Sequence, residues 1–587
     1  MHDIPLSAAK RERRLDYLRE HIFDVVIVGG GITGVGVARE AALAGLRVAL
    51  LEARDFASGT SSRSTKLFHG GLRYLERAEF LLVREGGRER EGMQRLAPHL
   101  VSPLPFLLPV YRSMKYGRFV MGTAVWLYDR LANVAPNEQR VVLTREEVLA
   151  LEPAVNEDGL TGGVLYHEYL TDDARCVVTI ARAAEQLGAL VLNYARVAGL
   201  LYGGEHVTSG DGDASGNGRV GGVAVVDEVT GRTAAVRGRT VVNAAGPWIE
   251  RIVQHDDEHA GRNGQKMVLH SRGVHVAVAH GRLPVKHAFA VQTPDGRLLF
   301  IIPRGDMTFV GTTDEAYEGD LYHPPIEERD VLYLLDLVNA VFPEAHIGQG
   351  DIAGRWSGVR PLVLEPGRST KDVSRRDQVY VSESQLITIA GGKLTAWRRM
   401  AEEVMEHVHG VLARMDSETP AALRARAAEL SPVLPLPGGL TIPPRGRIEW
   451  ELKEAKRLAH FVSMTEKDAV WLCRRYGDEA ERVVLHARER GLSLDRIASE
   501  VPLLHGELSY LIEHEGAVQL ADVVVRRTGL AWFGGPAAQR ALPLFARAMG
   551  VLRGWDEEEY ARQVSDCRQQ AYWPTDAAFS EYRDIDE

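Results

Sequence analysis

In 587 residues there are three cysteines, Cys176, Cys473 and Cys567, far apart and with no C-x-x-C pair. That scarcity argues against a disulfide framework and a zinc site, and no metal is expected; it fits a reducing cytosol. No run reaches the roughly 18 consecutive apolar residues of a membrane-crossing helix. Residues 1–22 carry KRERR and lack the apolar core of a secretory signal. This segment reads as a solvated leading helix, with contact between Arg11 to Arg19 and acidic lipid left open. Positive charge is also short: 80 Asp and Glu against 70 Lys and Arg leave −10, which speaks against nucleic acid as a partner. What remains is an ordinary globular composition, 45% hydrophobic and 26% charged, in a chain long enough for two or three domains.

The densest local signal is residues 23–52. Phe23 to Val28 is an apolar, β-branched run, read as a strand buried on both faces. Gly29, Gly30, Gly31 and Gly34 follow in G-x-G-x-x-G spacing. A helix is expected from Thr33 to Leu43, stopped by Gly45, and a second strand ends at Glu52. A pyrophosphate held by backbone N–H groups at a helix N-terminus needs the chain to approach without a Cβ in the way. Glu52 is placed to accept hydrogen bonds from a ribose, favouring FAD or NAD over NADP. The bland alternative is a glycine-rich turn with no ligand.

Farther on, positions 57–65 are crowded with small and hydroxylated residues, and His69, Gly70, Gly71, Arg73 and Tyr74 set polar groups beside a glycine pair. Such a stretch makes a poor core and lets backbone approach a flat ring. A capping box is read at Thr144 to Glu147. Arg118 to Asn133 is expected to be a helix with Val120, Ala124, Leu127 and Leu131 turned to the core. Thr240 to Ile249 and Gln385 to Gly392 are two more strands that run into small residues, at Gly246 and at Gly391 and Gly392, with Lys393 at the tip of the following helix. Residues 267–313 alternate as an antiparallel sheet would, with His275 in mid-strand. Residues 203–219 read as a functionless loop, 411–447 as an Ala-, Pro- and Gly-rich linker, and 448–587 as helices without catalytic residues.

GGGITG, SGTSSRSTKLFHGGLRYLE, NAAGPW, GTTD, SGVRPL and GGKLTAWR occur in this order over some 370 residues. Together with YLIEHEGAVQLADVVVRRTGL near the C-terminus, they resemble the FAD-dependent glycerol-3-phosphate dehydrogenase family. The resemblance implies an α/β plus α+β fold: a Rossmann-type FAD-binding domain with an antiparallel-sheet substrate domain, of the D-amino-acid-oxidase type, and a helical C-terminal domain. The expected division is an N-terminal extension at 1–22 and interleaved FAD and substrate domains at 23–410, with the substrate sheet mainly at 267–365. The linker and the helical domain follow. The implied reaction is oxidation of sn-glycerol 3-phosphate to dihydroxyacetone phosphate, with hydride passing to the flavin N5 and electrons to a quinone. Residues carried over to FAD are Gly29, Gly30, Gly31, Gly34, Glu52, Ser61, Ser62, His69, Gly70, Gly71, Gly246, Gly391, Gly392 and Lys393. Arg73, Tyr74 and Lys393 are assigned to the substrate phosphate, which needs several cationic donors. His275 and Arg360 are assigned to the reacting hydroxyl, with the choice of base between them open.

The family implies a cytoplasmic protein that can lie on the inner face of the cell membrane, and a homodimer is left open. Three alternatives stay in view. The acceptor could be oxygen; the scaffold could serve an amine or amino-acid oxidase; the chain could bind flavin without catalysis.

Overall fold

The structure is a computed structural model, and it describes residues 6–71, 75, 79–203, 218–262, 266–293, 298–364, 377–415 and 420–573. The apolar run after His21 is the strand Ile22–Val28, central in a sheet. Across that sheet the strands Gln378–Val381, Ile387–Ala390, Thr233–Asn243, Ile22–Val28, Val48–Leu51 and Leu190–Leu192 follow in order. All neighbours are parallel except the antiparallel edge strand Gln378–Val381. Helices Ile32–Leu43, Asp173–Gln186 and Trp397–Ala413 cover one face, sharing a core with Val25, Ile27 and Leu50. The antiparallel strands Ala195–Tyr202, Val220–Asp227 and Thr233–Asn243 contribute the core of the other face, with Val26 and Ala49.

A second, ten-stranded sheet carries His275 and Arg360. Its strand Val268–Ala279 pairs antiparallel with Ile352–Val363, so that Ser271 stands opposite Arg360, and with Met307–Gly311, so that His275 stands opposite Gly311. Alternation sends successive side chains to opposite faces. Val274, Val276 and Val278 pack with Leu334 and Val338 of helix Glu328–Val341. Ala277, Phe309 and Trp356 pack against the C-terminal helices, with Leu530, Trp532 and Phe545. The helical segment therefore shares a core with this sheet.

Charge ties the same helices to the cofactor-side domain. Asp55 is fully buried and accepts from Arg526 Nε at 2.6 Å, Arg527 Nη2 at 2.8 Å and Asn193 Nδ2 at 3.0 Å. Buried Arg175 donates both Nη groups to Glu515.

Three expectations are revised. The leading helix Arg11–Glu20 is not solvated all round: Arg11, Arg14, Leu15 and Leu18 are buried on one face. Arg11 donates to Asp227 at 2.6 Å, and Arg14 to the Val191 carbonyl at 2.6 Å and to Glu185. The segment 411–447 includes the helix Ala421–Leu430, and Leu436 is buried with its N–H on the Leu96 carbonyl at 2.8 Å. In helix Arg118–Leu131 the buried residues are Gly122, Val125, Tyr128 and Asp129, not the stripe through Val120, which is 54% exposed. Tyr128 sets that rotation, because its hydroxyl is fixed to Glu168 at 2.8 Å. Most of the 203–219 loop lies outside the described residues.

Candidate active site

The three glycine corners converge. A cavity of about 500 Å³ is lined by Gly29 and Gly31 from the first, Ala244 to Gly246 from the second, and Gly391 to Lys393 from the third. Close approach explains the glycines of the first corner. A Cβ on Gly29, at φ +109°, would stand 2.5 Å from the Ala244 carbonyl oxygen, and one on Gly34 would stand 1.8 Å from that of Gly29. Gly246, by contrast, has nothing within 4 Å of its missing Cβ and leaves the cavity open.

Glu52 also lines the cavity. Its carboxylate accepts from the Gly30 N–H at 2.6 Å and the Arg54 N–H at 2.9 Å. Burial raises its pKa, and those two N–H bonds oppose the shift. Ser61 lines the wall and accepts the Ile32 N–H at 3.0 Å, which ties the hydroxylated loop to the helix N-terminus. Trp248, Arg251 and Tyr322 complete one side. Trp248 stacks on Tyr322 at 4.2 Å, and Arg54 lies over Tyr322 at 3.7 Å. The buried Trp248 Nε1 has no hydrogen-bond partner among the described residues. A glycine-cradled cavity at a helix N-terminus, with the Glu52 carboxylate and a spare indole donor in its wall, fits FAD.

Other expected residues lie beyond this lining. Ser62 is buried, and its carbonyl accepts Lys66 Nζ at 2.8 Å. The His69 N–H donates to Thr395 Oγ1 at 3.2 Å, joining the loop to the third corner. The Gly70 N–H meets Tyr128 Oη at 3.2 Å and Glu168 at 3.3 Å, and a Cβ there would stand 2.6 Å from that hydroxyl. Gly71 has φ +77°. His69, Gly70 and Gly71 are not among the residues that line the cavity, because the strand Leu67–Phe68 carries the chain past it. Arg73 and Tyr74 lie outside the described residues.

Arg360, opposite Ser271, and His275, opposite Trp356, lie on the same pair of strands, and the Arg360 charge acts on His275. Arg360 Nη2 donates to Thr312 Oγ1 at 2.9 Å, its Nη1 lies 3.3 Å from Asp314, and the guanidinium covers Gly273. The next residue, Pro361, lines the cavity with Lys393. His275 is 1% exposed and stacks on Trp356 at 4.8 Å, with Nε2 3.0 Å from Thr65 Oγ1. Burial holds its pKa well below the usual 6.5, helped by the positive charges of Arg360 and Lys66, so the imidazole is neutral. Its Nδ1 has no partner among the described residues.

Sequence reasoning missed Lys66. Its ammonium is buried, 2.7 Å from Asp173 and 4.4 Å and 5.3 Å from the ring centres of Trp532 and Trp356. Burial lowers its pKa, against the pull of Asp173. Asp173 also accepts the Ser64 N–H at 3.1 Å and Oγ–H at 2.7 Å. The signal was available: a lysine closing a run of small hydroxylated residues, and an Asp-Asp pair opening a helix.

This fold and cavity define a flavin-dependent oxidoreductase. The FAD dependent oxidoreductase family matches residues 24–398, and the C-terminal domain of alpha-glycerophosphate oxidase matches 433–560. The chain is 37% identical over 528 residues to the aerobic glycerol-3-phosphate dehydrogenase of Bacillus subtilis (strain 168), covering 90% of each chain. It is 36% identical over 534 residues to that of Staphylococcus saprophyticus, again over 90% of each. Among solved structures, the glycerol-3-phosphate dehydrogenase from Bacillus halodurans complexed with FAD superimposes with a TM-score of 0.76 at 30% identity, covering 96% of this chain and 98% of that one. The chain belongs to the FAD-dependent glycerol-3-phosphate dehydrogenase family.

Proposed function

We propose that this protein oxidises sn-glycerol 3-phosphate to dihydroxyacetone phosphate and passes the electrons to a quinone. The observation that carries the reading is the meeting of three glycine corners at one cavity whose lining includes Lys393 and Pro361, the neighbour of Arg360. The names of the relatives supply the substrate class. FAD, when bound, supplies the two-electron acceptor. Lys393, with Arg73 and Tyr74, is assigned to the phosphate, where cationic donors match a dianion. Arg360, held by Thr312 and Asp314, is assigned to the hydroxyl and to steering its proton. Neutral His275 acts by fixing Thr65 within the loop that carries Ser61 and Ser64.

A quinone acceptor calls for contact with a membrane surface. Among the described residues no helix is long and apolar enough to cross a membrane. Helix Arg118–Leu131 exposes Phe119 at 73% and Trp126 at 43%, and the neighbouring helix Phe80–Leu96 exposes Leu81 at 70%. Exposed Arg84, Arg88, Arg112, Lys115 and Arg130 accompany them. Exposed apolar side chains accompanied by cations suit an anionic lipid surface, which supports a location on the inner face of the cell membrane.

The test is the spectrum of the purified protein. Glycerol 3-phosphate should bleach its flavin absorbance without oxygen, and a soluble quinone should restore it. Dominant peroxide formation in air would replace the quinone by oxygen, and an inert flavin would overturn the substrate. Arg360→Ala should keep FAD and lose turnover about a hundredfold or more; full activity would remove Arg360 from the site.

A further inference from the structure

A second cavity, of about 920 Å³, is lined by residues of the ten-stranded sheet and of the C-terminal helices, with Asp172 in its wall. Arg304, Arg447, Arg474, Arg475 and Arg540 face it, against Asp172, Asp306 and Glu500. These guanidinium groups are incompletely matched by carboxylates. Arg447 and Arg474 share one acid, Glu451, each at 2.9 Å. Arg475 gives its hydrogen bonds to the carbonyls of Arg527 and Thr528, at 3.0 and 2.9 Å, and its nearest carboxylate oxygen, on Glu507, is 3.9 Å away. Arg304 is 3.3 Å from Asp172, and Arg540 pairs with Glu500 at 3.2 Å.

Two further features point to a ligand rather than to a solvated arginine cluster. The 19-residue helix Gly535–Arg553 begins at the cavity, presenting Gly535, Pro536 and Ala537 and so the positive end of its dipole. His99 lies in the wall, 6% exposed, and its Nδ1 has no hydrogen-bond partner among the described residues. Two of the arginines are also held flat on aromatic rings. Arg475 lies 3.6 Å over Trp471, and Arg304 lies 4.3 Å over Phe533. Planar guanidinium groups fixed in this way are suited to bidentate contact with phosphate oxygens.

We propose that this cavity is a binding site for a small phosphorylated anion, separate from the flavin and substrate site. The wall gives binding a route to the loop of the first site. Arg304 holds the Thr171 carbonyl at 2.8 Å and Asp172, and the next residue, Asp173, carries Lys66 and Ser64.

The probe is pyrophosphate, measured by equilibrium dialysis against the full chain with FAD bound, at an ionic strength fixed with chloride. One equivalent should bind and should stay bound in excess glycerol 3-phosphate. Arg447→Gln/Arg474→Gln should weaken it about tenfold or more while the flavin spectrum is unchanged. Arg540→Gln, at an exposed side chain that cannot unsettle the core, should weaken it about threefold. Absence of saturable binding, displacement by glycerol 3-phosphate, or parental affinity in both the double variant and Arg540→Gln would overturn the site.

Discussion

Asparagine in place of Asp173 should strand a lysine inside the protein. The carboxylate accepts four hydrogen bonds: from Lys66 Nζ, from Ser64 N–H and Oγ–H, and from the Ala174 N–H at 2.8 Å. Both charged partners are buried, at 2% and 0% side-chain exposure. Breaking such a pair from one side costs about 3–5 kcal/mol, because the remaining charge has no counter-ion. Lys66 has one escape, which is to lose its proton. From a reference pKa of 10.5 to pH 7 that costs about 5 kcal/mol, at 1.36 per unit. The two bounds agree, so the variant should lose about 3–5 kcal/mol at pH 7. The sign with pH follows. Lys66 is lowered in the folded chain, and losing Asp173 lowers it further, so unfolding takes up a proton between the folded value and 10.5. Stability of the variant relative to the parent should therefore rise with pH between the variant's folded value and the parent's, both of them below 10.5. Urea unfolding of the FAD-loaded protein, followed by tryptophan fluorescence and flavin release at pH 7, 8 and 9, measures the gap. Lys66→Met/Asp173→Asn, which removes both charges, should recover most of the loss. A gap below about 1 kcal/mol, a gap independent of pH, or a double variant no better than Asp173→Asn would refute the argument.

Gly34→Ala should yield protein without flavin absorbance, since its Cβ would stand 1.8 Å from the Gly29 carbonyl oxygen and must displace the first corner. Asp55→Asn leaves Arg526 with Asp522 at 2.6 Å but takes the counter-ion from Arg527, whose side chain is fully buried. A loss of about 3–5 kcal/mol is expected, read as earlier thermal unfolding and faster proteolysis at the junction of the C-terminal helices. Phe119→Glu/Trp126→Glu should abolish sedimentation with anionic phospholipid vesicles while turnover with a soluble quinone stays unchanged; vesicle binding at parental strength would remove the face from the proposal.

Local chemistry was legible in the sequence. The first corner, the capping box at Thr144 and the strand around His275 each announce themselves within a dozen residues, because glycine geometry, caps and alternation are short-range rules. The Thr144 hydroxyl accepts the Glu147 N–H at 3.2 Å, as that spacing requires. Long-range pairing was not legible. KRERR reads as solvated charge until Arg11 meets Asp227 and Arg14 meets Val191 and Glu185, partners at least 171 residues away. The face that helix Arg118–Leu131 turns inward depends on Tyr128 finding Glu168, which no periodicity contains. Lys66 passed as one more polar residue for the same reason, since its carboxylate lies 107 positions on.

Residues 448–587 read as helices without catalytic residues, yet two of their side chains pack against residues beside the cofactor loop. His275 stacks on Trp356, Trp356 stacks on Trp532 at 5.3 Å, and Lys66 lies against both indoles. Trp356 Nε1 also donates to the Ser64 carbonyl at 3.2 Å, within the loop that lines the cofactor cavity. Trp532 and Phe533 thus close the apolar wall that keeps His275 neutral and makes Lys66 dependent on Asp173. Opening that wall would readmit water, restore the ordinary titration of both groups, and release the loop that Asp173 holds. The helical domain thus shapes the dielectric around His275 and Lys66, and Trp532→Ala is expected to change turnover without changing the FAD content.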